Sequence, residues 1–257
     1  INFLLIYDSI DCSFWGDPKW TIDDDGKQID GGLALMYALL KWFNNKKNVN
    51  IFNYLENLSK EEFKDILKGN VEIPLLNERY NTITNISKIV NEQMNGNFYE
   101  YIKDVHNDKE LFDIIIKKFV SFKDERTYLG KDIYFYKLAQ LLTSDILHIL
   151  EIKENIEVDY SHLIGCSDYK IPQVMRKLGI LEYRKELINI IDSKMILEEN
   201  SKYEVEIRAN TLVVIDYIYK TINRRINRIN INDIIWLKGK DKSKEIKPYH
   251  LTRTMSY

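Results

Sequence analysis

The sequence predicts a mainly α-helical fold, one domain over residues 1–257 with a small β-hairpin near its start. Three observations carry this. Only 10 Gly and 4 Pro punctuate 257 residues, too few for a chain of short strands and tight turns. Apolar residues recur at helical spacing through most of the long segments. Hydrophobic residues make up 45% and charged residues 30%, the balance of a chain that buries a core.

The elements follow in order. Phe3, Leu4, Tyr7, Ile10 and Phe14 line one side of a helix expected over residues 1–15. Thr21-Ile22 and Gln28-Ile29 flank Asp25-Gly26, a pair suited to a tight hairpin turn. Residues 32–44 are strongly apolar and read as a buried helix. Ser59 and Glu62 have capping-box spacing, and Gly69 closes that helix. Pro74 opens a helix to residue 94, since proline is tolerated in a first turn. Amphipathic helices are expected over 108–120, 132–151, 169–178, 183–191, 204–225 and 232–237. There is no internal repeat and no low-complexity tract.

Charge narrows the partners. Lys and Arg number 37 against 39 Asp and Glu, a formal net charge of −2. Long nucleic acid calls for many cationic phosphate contacts, so contact with phosphate is expected to be local and a small phosphorylated ligand fits better. No apolar run reaches membrane length, and no membrane partner is expected. Cys12 and Cys166 are expected to be reduced thiols in a cytoplasmic protein. No glycine-rich phosphate loop and no Gly-x-Ser-x-Gly elbow is present. His106, His148, His162 and His250 lack ligand spacing, so a mechanism without metal or other cofactor is expected.

Two side chains stand out chemically. Asp168 ends an apolar approach just before a short amphipathic helix, where free backbone N–H groups favour an ionised carboxylate. It suits stabilisation of a cationic sugar, and it equally suits a plain helix cap. Lys137 follows Tyr134-Phe135-Tyr136; on a helix it would share a face with Ile133, Tyr134 and Leu141. It is either snorkelling to water or held for a purpose. Glu204, Glu206 and Arg208 read as ion pairs, Trp15, Trp20, Trp42 and Trp236 as core, and His250 and Arg253 as possible phosphate contacts in a polar tail.

Ordered blocks across the chain resemble the queuosine salvage proteins, the queuosine 5′-phosphate N-glycosylases. They are residues 12–20 (Cys-Ser-Phe-Trp-Gly-Asp-Pro-Lys-Trp), 73–79 (Ile-Pro-Leu-Leu-Asn-Glu-Arg) and 121–125 (Ser-Phe-Lys-Asp-Glu). Residues 136–140, 167–174, 178–183, 204–208 and 235–236 continue the series. The resemblance implies a helical architecture similar to helix-hairpin-helix DNA glycosylases. It also implies hydrolysis of the N-glycosidic bond of queuosine 5′-monophosphate, releasing queuine for return to tRNA. The family's essential Asp and Lys match Asp168 and Lys137.

Substrate contacts are expected from Cys166, Asn232, Asp233, Trp236 and Arg208. The run 232–236 carries Asn232 where the family usually has Asp, with Asp233 one residue later. Cys166 stands where the family can carry Phe. Asp233 suits the secondary amine of the queuine tail, and Lys170, Arg176 or Arg208 suits the 5′-phosphate. A DNA or RNA base glycosylase and a non-catalytic queuine-binding module are the competing readings.

Overall fold

A computed structural model describes residues 1–46, 49–240 and 246–257. Among them are twelve α-helices and two antiparallel hairpins, which settles the fold class as mainly α. The chain forms two compact units, residues 1–105 with 117–121, and residues 106–116 with 122–257. No described helix is long and apolar enough to cross a membrane.

The first unit holds α1 (Asn2–Asp8), β1 (Thr21–Asp24), β2 (Lys27–Asp30) and α2 (Gly31–Asn44). It continues through α3 (Ile51–Glu56), α4 (Lys60–Ile66), α5 (Leu76–Gln93) and α6 (Phe98–Ile102). Thr21 pairs with Asp30 and Ile22 with Ile29 around the expected turn. Asp25 and Gly26 both take positive φ there, as the twist of a two-residue hairpin requires. Its core gathers Leu5, Leu35, Phe52, Phe63, Ile83 and Val90. Ser59 accepts the Glu62 N–H at 3.2 Å, confirming the expected cap.

The first helix stops well short of residue 15. Ser13 is left-handed at φ 44°, and the buried Arg79 donates to the Ile10 and Cys12 carbonyls. A long-range cation thus satisfies carbonyls that the expected helix would have satisfied locally.

The second unit contains most of α7 (Asp108–Lys118), then β3 (Glu125–Tyr128), β4 (Lys131–Tyr134) and α8 (Lys137–Glu154). The helices α9 (Lys170–Lys177), α10 (Lys185–Asp192), α11 (Lys202–Thr221) and α12 (Arg228–Gly239) complete it. α9 packs on α11 and α12 through Ile171, Val174, Met175, Ile215, Ile231 and Ile235. The hairpin β3–β4 corrects the helix expected over 132–151. Leu129 and Gly130 turn the chain at φ 50° and 75°, so Ile133 and Tyr134 lie on a strand rather than beside Lys137 on a helix.

The polar C-terminal tail also runs inward. Leu197 N–H bonds the Leu251 carbonyl at 2.8 Å, and His250 and Tyr257 are buried. Burial pushes the His250 imidazole down to about 3.

Candidate active site

Every expected site residue lies in the second unit, and several gather around the loop that leads into α9. That loop is held by side chains of three helices. Gln140, one turn into α8, accepts the Ile164 and Gly165 N–H groups at 2.7 and 3.0 Å. Asn232, in α12, accepts the Cys166 N–H at 3.1 Å. Arg208, in α11, donates from Nε to the Ser167 carbonyl at 3.0 Å, and Ser167 Oγ donates back to the Arg208 carbonyl at 2.9 Å. Gly165 sits at φ +116°, and a Cβ there would lie 2.9 Å from Ile215 Cδ1. The Ile215 methyl could swing aside, but that φ is strained for any residue with a side chain, which favours glycine.

The loop delivers Asp168 to the start of α9, half-buried. Its Oδ1 accepts the N–H groups of Lys170 at 2.7 Å and Ile171 at 2.9 Å. The capping geometry expected of Asp168 is therefore present, although α9 itself begins two residues later. Burial pushes the carboxyl above its ordinary range, while the Lys137 charge and the two backbone N–H groups pull it back. That balance marks a carboxylate in a low-polarity setting kept chargeable by a cation.

Lys137 is the first residue of α8 and only 5% exposed. It does not snorkel. Tyr136 before it is left-handed at φ 49°, a costly state for a bulky side chain that the surroundings must enforce. They do so through its hydroxyl, 2.6 Å from Glu125 Oε1, and through edge contact with Phe112. Cys166 faces the same helix start, its Sγ 3.7 Å from the Lys137 carbonyl. Burial holds that thiol neutral, the Lys137 charge opposing and Asp233, Asp168 and Asp145 reinforcing. Three carboxylates and one ammonium thus act on a single buried sulfur.

The remaining expected contacts divide. Asp233 is exposed and Trp236 is 40% exposed, so Trp236 is not a core residue. Lys240 already places its ammonium 3.8 Å over the indole ring. Asn232 is buried and committed to the loop backbone. Arg208 has no accessible surface and is bonded to Asp124, Glu204 and Ser167. Arg176 grips Asp192 through two nitrogens at 2.6 and 3.0 Å.

A cavity of about 300 Å³ opens beside the start of α8, lined by Phe112, Tyr134, Phe135, Tyr136, Gln140, His162 and Ile164. Asp168 is not in its walls. Lys137 is not in its walls either, although Tyr136 immediately before it is.

A family model described as queuosine salvage protein matches residues 1–257. The chain belongs to that family. Among its relatives, a Sphaerobacter thermophilus protein named queuosine 5′-phosphate N-glycosylase/hydrolase is 31% identical over 261 residues, covering 100% of this chain and 81% of that one. A Mus musculus protein of the same name is 28% identical over 276 residues, covering 100% and 82%. A Schizosaccharomyces pombe relative, again of that name, is 23% identical across 96% of this chain and 77% of its own.

In this queuosine salvage protein, the residues overlooked from sequence are Gln140, which holds the loop, and Ser167 and Asp124, which bond the arginine that holds it. All three fall inside the ordered blocks, which was their only signal. The bonds that tie them to the loop and to Arg208 span 24 to 84 positions.

Proposed function

We propose that this chain hydrolyses the bond between ribose C1′ and the base nitrogen of queuosine 5′-monophosphate. Water supplies hydroxide to C1′ and a proton to the departing base, giving ribose 5-phosphate and queuine for reuse in tRNA. The reading rests on the full-length family match and on one local observation. A carboxylate in a low-polarity setting is fixed at the start of α9 within the field of a buried lysine.

Asp168 stabilises the positive charge that develops on the ribose as the bond breaks. At about 4 Å, unit charges attract by ~1 kcal/mol in water but ~4 kcal/mol at an effective dielectric of 20. Since ~1.4 kcal/mol is tenfold in rate, the desolvated case supplies about a thousandfold. Burial is the largest influence on Asp168, which supports that case. Lys137 keeps the carboxylate ionised against burial.

Queuine is a 7-deazaguanine and offers no N7 to protonate, so stabilisation on the sugar side carries most of the work. The exposed Asp233 suits the cationic secondary amine of the base, and Trp236 offers a ring face nearby in sequence. The substrate is a single nucleotide rather than a polymer, in keeping with the net charge of −2, and the cytoplasm is the proposed compartment.

The test is to incubate purified protein with queuosine 5′-monophosphate, queuosine and a queuosine-containing oligonucleotide, and to quantify free base. Release from the mononucleotide is expected. Release only from the oligonucleotide would instead indicate a polymer glycosylase, and bound ligand without release a binding module.

A further inference from the structure

We infer that Arg208 is a positioning residue for this hydrolysis, joining the backbone beside Asp168 to the carboxylate beside Lys137; the inference rests on the reaction proposed above. The guanidinium is fully buried and its donors run in two directions. Nε holds the Ser167 carbonyl at 3.0 Å, immediately before Asp168. Nη1 holds Asp124 Oδ1 at 2.9 Å and Nη2 holds Asp124 Oδ2. Asp124 in turn accepts the Lys137 N–H at 3.5 Å through Oδ2, and its own carbonyl accepts the Phe135 N–H at 2.9 Å.

One planar cation therefore fixes the chain on both sides of the candidate pair. Its orientation is set by the Phe135 and Tyr257 rings, whose centroids lie 4.0 and 4.1 Å away. Pairing along its own helix, with Glu204 at 3.3 Å, would leave most of the five buried donors unpaired. The bonds to Ser167 and Asp124 complete them and at the same time fix a spacing between two segments 30 residues apart in sequence, from 137 to 167. Lysine cannot substitute, because a single ammonium lacks the fork that reaches both partners.

Two variants test this by release of queuine from queuosine 5′-monophosphate across pH, with circular dichroism and thermal melts confirming the fold. Displacing reacting groups by about 1 Å costs on the order of a hundredfold, so Arg208→Lys should lower kcat by that much with KM nearly unchanged. Its acid limb should also move to higher pH. The charges acting on Asp168 are those of Lys137 and Lys170, and the backbone that carries the first would lose the acceptor that Arg208 fixes. Ser167→Ala removes only the return bond and should lower kcat by roughly threefold to tenfold.

A folded Arg208→Lys protein whose kcat falls while the acid limb stays in place has a purely structural arginine, and the inference fails. Should that variant not fold, an unchanged kcat and acid limb in Ser167→Ala overturns it. Wild-type protein that releases no base overturns the reaction itself, and the inference with it, and this is seen in the wild-type arm alone.

Discussion

Asp168 Oδ1 accepts the backbone N–H of Ile171 at 2.9 Å, so the proposed catalytic carboxylate is also the cap of α9. The two roles make opposite demands. A cap is satisfied by any side-chain oxygen, whereas charge stabilisation requires an ionised group that burial disfavours.

Asp168→Asn should therefore be no less stable than wild type at neutral pH. Its amide oxygen can still accept the Lys170 and Ile171 N–H groups. The Asp168 carboxyl lies above its ordinary range in the folded protein. Its contribution to stability is thus full below the unfolded value and is lost as pH rises through the folded one. Melting temperatures measured against pH should show the variant equal or higher near pH 7, with its advantage shrinking as pH falls. A variant that melts well below wild type at neutral pH would contradict this assignment of the charge.

Lys137→Met should shift the pH dependence as well as the rate. Removing the ammonium lets burial raise the Asp168 carboxyl further, so the acid limb of kcat should move to higher pH. The rate near neutrality should fall by at least about tenfold. An unmoved limb, measured from pH 4 to 8, would remove Lys137 from the electrostatics of the site.

Much of the fold was legible in the sequence where one face of a helix must be buried locally. The apolar stripes behind α2, α5, α9 and α11 predict those helices within a few residues of their observed ends. The short helices α3 and α6 escaped because one or two turns carry too little periodicity. The hairpin β3–β4 escaped because Leu129 adopts positive φ against its own preference. Within the site, Asp168 was legible as a cap and Lys137 as a lysine among aromatics. The burial of Arg208 was not legible because it depends on Asp124, 84 positions distant, and on rings from two other segments.

Gly165→Ala should destabilise the loop that carries Asp168. The position combines φ +116° with a Cβ only 2.9 Å from Ile215 Cδ1, a strain of about 1–3 kcal/mol. A thermal melt should fall by several degrees, roughly 2–4 °C per kcal/mol in a chain of this size. An unchanged melt would show that the loop relaxes freely.

Asn232→Ala should leave the buried Cys166 N–H without its acceptor, at a cost of about 1–3 kcal/mol. Because the displaced backbone is two residues from Asp168, kcat should fall more than KM changes. A rise in KM alone would instead place Asn232 in direct contact with substrate.

The central claim is that ionised Asp168 carries the chemistry. Single-turnover release of queuine from queuosine 5′-monophosphate, compared between wild type and Asp168→Asn at saturating protein, tests it most directly. The rate should be lower by about a thousandfold in the variant, with substrate still bound. Comparable rates from the two proteins would contradict it.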